Sequence, residues 1–241
     1  MKILRINYKY KFTTISKLVC DLISVAISYF NIFHKRNNMI DTKPLFEHDL
    51  KLKQKYNLIA GIDEVGRGPL AGPVVTACVI MPYDEMIDGV YDSKRVSAKK
   101  SEKLYDIILE KSIAYSITLE TEKTIDEINI LNATKKSMIN SFNTLSVTPD
   151  VLLVDAVKLD VDCETLPIIK GDSTSYAIAC ASIIAKVYRD RMMDEYALKY
   201  PVYDFANNKG YGTKKHIEAL KTYGKCPIHR DSFISNFVSK I

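Results

Sequence analysis

No two cysteines in this chain have the short spacing that zinc ligation or a local disulfide framework requires. Cys20, Cys78, Cys163, Cys180 and Cys226 are scattered through 241 residues, and three of them sit inside apolar runs. That pattern fits reduced core thiols in a cytoplasmic protein. Histidine is sparse too: His216 and His229 lack paired ligand spacing, so helix-surface and structural roles are expected for both. No base is marked beside Ser182, which leaves helix packing, not nucleophilic catalysis, as the role of Ser182 and Lys186. A convincing membrane span is also missing. The apolar run from Leu18 to Phe33 falls short of the roughly 20 residues a spanning helix needs, and Asp21 interrupts it. Where a secretory signal would carry small residues, Phe33-His34-Lys35-Arg36 stands instead.

Basic charge is scarce where the total suggests it. The formal net charge is +5, but residues 1–38 alone hold Lys2, Arg5, Lys9, Lys11, Lys17, Lys35 and Arg36 against Asp21, a charge of +6, so the remainder is −1. Overall basicity is therefore no argument that the main part binds nucleic acid. A local surplus of +5 from Phe205 to Ile241 is able to track a phosphate backbone. With 47% hydrophobic residues the chain is globular and can bury a substantial core. Residues 1–38 are a basic and apolar extension expected not to belong to the native protein, with Met39 as the native start. Residues 39–55 form a helical lead-in, 56–200 the core and 201–241 a C-terminal helical extension.

The stretch Gly61-Ile62-Asp63-Glu64-Val65-Gly66-Arg67-Gly68-Pro69-Leu70-Ala71-Gly72-Pro73 organises the rest. The apolar run from Tyr56, continued by Ile62 and Val65, reads as a buried strand, and Gly66 and Gly68 turn the backbone beyond it. Neighbouring strand residues face opposite ways, so Asp63 and Glu64 converge only if the strand ends there. Paired carboxylates at a strand end suit a hard divalent cation. Gly-Arg-Gly beside them offers bare N–H groups and a guanidinium fork to a phosphate or sugar. Taken alone, the acidic pair also suits a solvated turn.

Downstream, Gly72 to Met81 is predicted to pair with the first strand as a hairpin, and Ile113 to Leu119 supplies a third strand. Ser97 caps a helix to about Lys111, and Thr124 with Glu127 reads as a capping box opening a helix through Phe142. A short helix over Glu47–Lys55 is expected on the sheet edge. Val151 to Val154 is an apolar strand with Asp155 at its tip, and Pro167 to Ile169 is another short strand, after which Asp172 precedes a helix apolar nearly all round to Ala185. The later half of that helix, with Arg189, Asp190 and Arg191, is expected to emerge into solvent. Thr213 caps a helix that Gly224 closes, and Pro227 to Ile241 continues as loop and helix. Strands alternating with helices indicate a mixed sheet with helices on its faces.

The Gly61–Val75 stretch resembles the signature of ribonuclease HII, the type 2 ribonuclease H family. Asp92-Ser93-Lys94, Leu153-Val154-Asp155-Ala156, Lys170-Gly171-Asp172, Ala181 to Val187, Gly210-Tyr211-Gly212-Thr213-Lys214 and Pro227-Ile228-His229-Arg230 match in order, covering roughly residues 56–235. The resemblance implies an α/β fold, a ribonuclease H-like mixed sheet flanked by helices, with a C-terminal helical extension. It implies Asp63, Glu64, Asp155 and Asp172 as catalytic residues and as ligands for Mg²⁺ or Mn²⁺. Gly66, Arg67 and Gly68 would read the ribose 2′-hydroxyl, Tyr211 would stack on the next sugar and Lys94 would lie near the nucleic acid. Read without the family, Tyr211 is a turn aromatic and Lys94 part of a solvated turn. The implied activity is a monomeric cytoplasmic endonuclease that cuts the RNA strand of RNA/DNA hybrids and 5′ of ribonucleotides embedded in duplex DNA, leaving 3′-hydroxyl and 5′-phosphate ends. Two alternatives stand beside it: a ribonuclease HIII-like enzyme, whose motif generally lacks the arginine and proline seen here as Arg67 and Pro69, and a non-catalytic nucleic-acid-binding module on the same scaffold.

Overall fold

Five strands form one mixed sheet in the order β3-β2-β1-β4-β5: β1 (Ile59–Val65), β2 (Val74–Ile80), β3 (Ala114–Glu120), β4 (Val151–Asp155) and β5 (Glu164–Ile168). The structure is a computed structural model that describes residues 41–155 and 157–237, so the expectations for residues 1–38 and for Met39 lie outside the described residues. The pairs β1–β2 and β2–β3 are antiparallel, as the hairpin reading expects, while β4 and β5 join parallel to β1. The first strand is thus central, and its apolar sequence follows from burial on both faces.

Strand alternation divides the core. On one face Ala60, Ile62, Cys78, Ile80, Leu152 and Val154 pack with Met138 and Phe142 of α3 (Glu122–Asn143). On the other, Ile59, Val151 and Leu153 meet Ile178 of α4 (Tyr176–Lys199). Gly61 faces α4 so closely that a Cβ on it would lie 2.2 Å from the Ala177 carbonyl carbon and 2.4 Å from Ile178 N. That approach sets the height of the helix over the strand.

Several local expectations shift. The lead-in helix α1 runs over Lys43–Leu52, starting earlier than Glu47 because Pro44 sits in its first turn, where no N–H is needed. Its buried Asp49 accepts hydrogen bonds from Ser175 Oγ and Ala177 N (both 2.9 Å), anchoring α1 on the start of α4 instead of on the sheet edge. Ser97 stands at the N-cap position of α2 (Ala98–Lys111), but its side chain makes no capping hydrogen bond. The cap of α3 is Thr121, not Thr124, and the helix breaks at Asn129 (φ 65°). There the Asn129 side chain accepts from Asn132 N (3.1 Å), capping the continuation; asparagine tolerates positive φ better than most residues.

Beyond α4 the chain folds through α5 (Phe205–Asn208), α6 (Lys214–Tyr223) and the single turn α7 (Asp231–Ile234). Thr213 accepts from His216 N (3.3 Å) at the start of α6, and Gly224 (φ 74°) ends it, both as predicted. Tyr203, Phe205, Leu220, Cys226, Ile228 and Ile234 form a second apolar cluster with Leu70, Ala71 and Met193. This cluster covers the far end of α4. Arg189, expected in solvent, is consequently only 1% exposed. No helix among the described residues is long and apolar enough to cross a membrane.

Candidate active site

Asp63 and Glu64 lie within β1, still in register with Ala77 and Thr76, and not past its end. They therefore leave the strand on opposite sides. Asp63, 8% exposed, goes toward α4 and the hydroxyl of Ser182, and Glu64 remains half-buried with Arg67 Nη1 3.2 Å away. The neighbouring parallel strand closes the site: Ile62 pairs with Val154, so the following residues Asp63 and Asp155 come level. Asp172 arrives on a one-turn 3-10 helix, Gly171–Ser173. A Cβ on Gly171 would lie 2.6 Å from Ile178 Cδ1 and 3.3 Å from Asp155 Cβ, so this turn tucks closely against Asp155.

Electrostatics join the four acids into one site. Burial pushes the Asp63 carboxyl well above the usual range, repulsion from Glu64 and Asp172 adds to it, and the Ser182 hydroxyl opposes it. Burial and the Asp155 charge raise Glu64 while Arg67 pulls it down. Asp172 is raised by burial, Asp92 and Asp155 against the lowering effect of Lys94, whose Nζ stands 3.9 Å from the carboxylate. Among the described residues no three His, Cys, Asp or Glu side chains close to a metal-ligating arrangement. The donors are nonetheless all carboxylate oxygens, which is the donor set that suits Mg²⁺ or Mn²⁺ and not a thiophilic metal. Asp63, Glu64, Asp155 and Asp172 are the residues that would hold such ions.

Sequence reasoning missed two contributors here. Ser182 was read as packing, yet its hydroxyl faces Asp63 and is hydrogen-bonded to that of Ser93 (2.9 Å). Asp92 was read as a loop residue, yet its charge acts on Asp172. A serine inside a run of small apolar helix residues carries no signal of a polar neighbour, since the strand it faces comes from over a hundred residues upstream.

The Gly66–Pro73 loop borders the acids. Gly66 (φ 92°) and Gly72 (φ 84°) take the left-handed backbone that only glycine adopts freely. Tyr211, 48% exposed, lies along this loop: a Cβ on Gly68 would be 3.6 Å from Tyr211 Cε1. The tyrosine's carbonyl is fixed from below by a relay of three hydrogen bonds. His216 Nδ1 donates to Tyr211 O (2.9 Å), His229 Nε2 donates to His216 Nε2 (3.0 Å), and Cys226 N donates to His229 Nδ1 (2.9 Å). Both histidines are buried, which corrects the helix-surface expectation. Burial lowers both pKa values, that of His229 to about 4, with His216 adding to the effect, so the pair is neutral at pH 7.

The fold defines the class. Ribonuclease H2 from Pyrococcus horikoshii OT3 superposes with a TM-score of 0.63 at 28% sequence identity, over 75% of this chain and 98% of that one. This is the fold of a type 2 ribonuclease H. The ribonuclease HII family model matches residues 60–236. The ribonuclease HII of Ruminiclostridium cellulolyticum is 47% identical over 239 residues, spanning 90% of this chain and 93% of that protein. That of Acetivibrio thermocellus is 57% identical over 184 residues, 76% of this chain and 72% of that protein. The chain belongs to the ribonuclease HII family, the metal-dependent endonucleases of ribonuclease H type 2. Both the family resemblance and the expected mixed α/β sheet are borne out.

Proposed function

We propose that this protein hydrolyses the RNA strand of RNA/DNA hybrids and cuts 5′ of single ribonucleotides embedded in duplex DNA, leaving 3′-hydroxyl and 5′-phosphate ends. The carrying observation is the juxtaposition of four neighbouring carboxylates with a glycine loop whose Arg67 and Gly68 are exposed beside Tyr211. Asp63, Glu64, Asp155 and Asp172 would hold the Mg²⁺ or Mn²⁺ ions and serve as the catalytic residues. Divalent ions held by these carboxylates would supply Lewis-acid activation of a water and charge neutralisation at the leaving oxygen.

The protein's own residues supply the choice of substrate. The 2′-hydroxyl is the one group that marks a ribonucleotide, and the backbone of Gly66, Arg67 and Gly68 reads it. Tyr211 stacks on the following deoxyribose, and Lys94, at the open edge near Asp172, meets the phosphate backbone. The ribonuclease H-like core over 56–200 carries the acids, and the 201–241 extension carries Tyr211 and its supports. The protein acts as a monomer in the cytoplasm; its free thiols Cys78, Cys163, Cys180 and Cys226 suit a reducing compartment.

A DNA duplex carrying one ribonucleotide tests the reading. Metal-dependent cutting on its 5′ side, lost in Asp63→Asn, is the expected result. Cutting confined to long hybrids favours the ribonuclease HIII-like alternative, and binding without cutting favours a non-catalytic module.

A further inference from the structure

Two arginines are buried without a carboxylate partner. Arg230 is fully buried and Arg189 nearly so, and the arginine ion pairs among the described residues belong to Arg67 and Arg191 instead. All of their hydrogen bonds end on main-chain carbonyls. Arg230 donates to Gly72 O from Nε (2.9 Å) and Nη2 (2.7 Å), to Arg67 O from Nη1 (3.0 Å) and to Gly66 O from Nη2 (2.6 Å). Arg189 donates from Nε to Pro73 O (2.9 Å), from Nη2 to Ala71 O (3.1 Å) and from Nη1 to Lys209 O (2.9 Å). Five of these carbonyls belong to the Gly66–Pro73 loop and the sixth to the segment that leads into Tyr211.

Burying a guanidinium costs more than burying an apolar side chain of similar volume. Burial lowers the pKa of Arg189 to about 10 and that of Arg230 to about 9, and both stay protonated at neutral pH. What distinguishes these positions is the geometry they impose. No peptide among the described residues is cis, and in a trans peptide the N–H points opposite to the preceding C=O. Gly66 O and Arg67 O turn inward onto Arg230, so the N–H groups of Arg67 and Gly68 turn away from it. Both residues are exposed, and neither N–H has a main-chain acceptor among the described residues.

We propose that Arg230, backed by Arg189, is a positioning residue for ribose recognition: its guanidinium turns the Arg67 and Gly68 N–H groups toward the substrate sugar and polarises them as donors. This rests on the reading that the Gly66–Gly68 backbone meets the 2′-hydroxyl. Three carbonyls in three directions need a planar fork, and the single ammonium of a lysine cannot replace it. A guanidinium on the carbonyl side also strengthens the N–H on the far side, because hydrogen bonds along one peptide polarise each other.

The test uses the full chain and two duplexes that differ by one 2′-hydroxyl, with Ca²⁺ in place of Mg²⁺ to suppress cutting. Wild-type protein is expected to bind the ribonucleotide duplex more tightly. In Arg230→Lys that preference falls by about tenfold, the scale of one hydrogen bond, while affinity for the all-deoxy duplex stays within about twofold. Arg189→Lys shifts the preference in the same direction by less. A merely structural arginine lowers both affinities together, so a folded Arg230→Lys that keeps the wild-type preference overturns the proposal. Should Arg230→Lys fail to fold, Arg189→Lys decides: a selective loss of the ribonucleotide preference supports it, and an unchanged preference overturns it. Absence of any wild-type preference instead removes the underlying 2′-hydroxyl reading and this proposal with it.

Discussion

On β1 and on the 3-10 turn that follows β5, burial leaves Asp63, Glu64 and Asp172 with raised pKa values and charges that repel one another. A few residues on, the Gly66–Pro73 loop is fastened by two buried arginines, and the neighbouring Tyr211 segment by a neutral histidine pair, with every ring nitrogen and guanidinium nitrogen given a partner. One region gives up stability to keep negative charge in place. The other uses burial to hold a backbone shape. Unsatisfied charge at the acids thus sits beside a backbone whose geometry is rigid and hydrogen-bonded, and on the proposed reading the first serves the chemistry and the second the choice of substrate.

Removing one acid should have the largest effect. Asp63→Asn is expected to lower kcat/KM on a ribonucleotide-containing duplex by about 10³-fold, the scale of losing a main electrostatic contact to the transition state. Its thermal midpoint should stay level or rise, because like-charge repulsion is relieved; a scanning measurement alongside the kinetics checks both. A drop in stability comparable to a core mutation would refute the strained-acid account.

Gly61→Ala acts on the floor that both regions share. Its Cβ would meet the Ala177 and Ile178 backbone, which cannot step aside like a side chain. Overpacking of this kind costs about 3 kcal/mol, or a fall in Tm of roughly 6–12 °C for a domain of this size. Denaturant unfolding should show a lower midpoint, with activity lost only in proportion to the unfolded fraction.

The two regions should also respond oppositely to pH. Carboxyls with raised folded pKa values bind more protons when folded, so stability without metal falls as pH rises from the unfolded carboxylate range through those raised values. The histidine pair has lowered folded values: its contribution is complete above the unfolded value near 6.5 and is lost as pH drops toward about 4. Mg²⁺ should therefore raise Tm more at pH 8 than at pH 5, and His229→Ala should flatten the acid limb while costing about 2 kcal/mol at pH 7 for the partners it leaves unpaired. Equal Mg²⁺ shifts at both pH values would separate the metal from the acids.

The smallest effect is expected at Lys94, whose side chain is 84% exposed. Lys94→Ala should raise KM a few-fold, with kcat and Tm unchanged and a shallower salt dependence of binding. A kcat effect larger than the KM effect would move Lys94 from the rim of the site into its chemistry.

Much of the acid region was legible in sequence. The apolar runs before Asp63 and Asp155, and the helix pattern after Asp172, announce where carboxylates leave strands and precede a helix, because burial on both faces leaves a local signature. The glycines of the loop were legible as turns because a residue without a Cβ takes the positive φ seen at Gly66 and Gly72. What supports the loop was not. Arg189 reads as one charge in the polar half of a helix, and its burial follows from a C-terminal segment folding over it. Arg230 reaches Gly66 O across 164 positions of chain, and His216 meets His229 only after α6 has turned back. Thr121 and Asn129 were missed because a capping pattern three residues out of place looks equally good before the helix axis is known.

The residue pattern alone was enough for the central hairpin and for the strand before Asp155, since each depends on short-range periodicity, while the last strand runs over Glu164–Ile168 and not Pro167–Ile169. Only the tertiary structure decided which charges would be buried, which carbonyls they would hold and which N–H groups would be left free. Those are properties of contacts between distant segments, and a buried arginine and an exposed one are the same letter until the chain has closed around it.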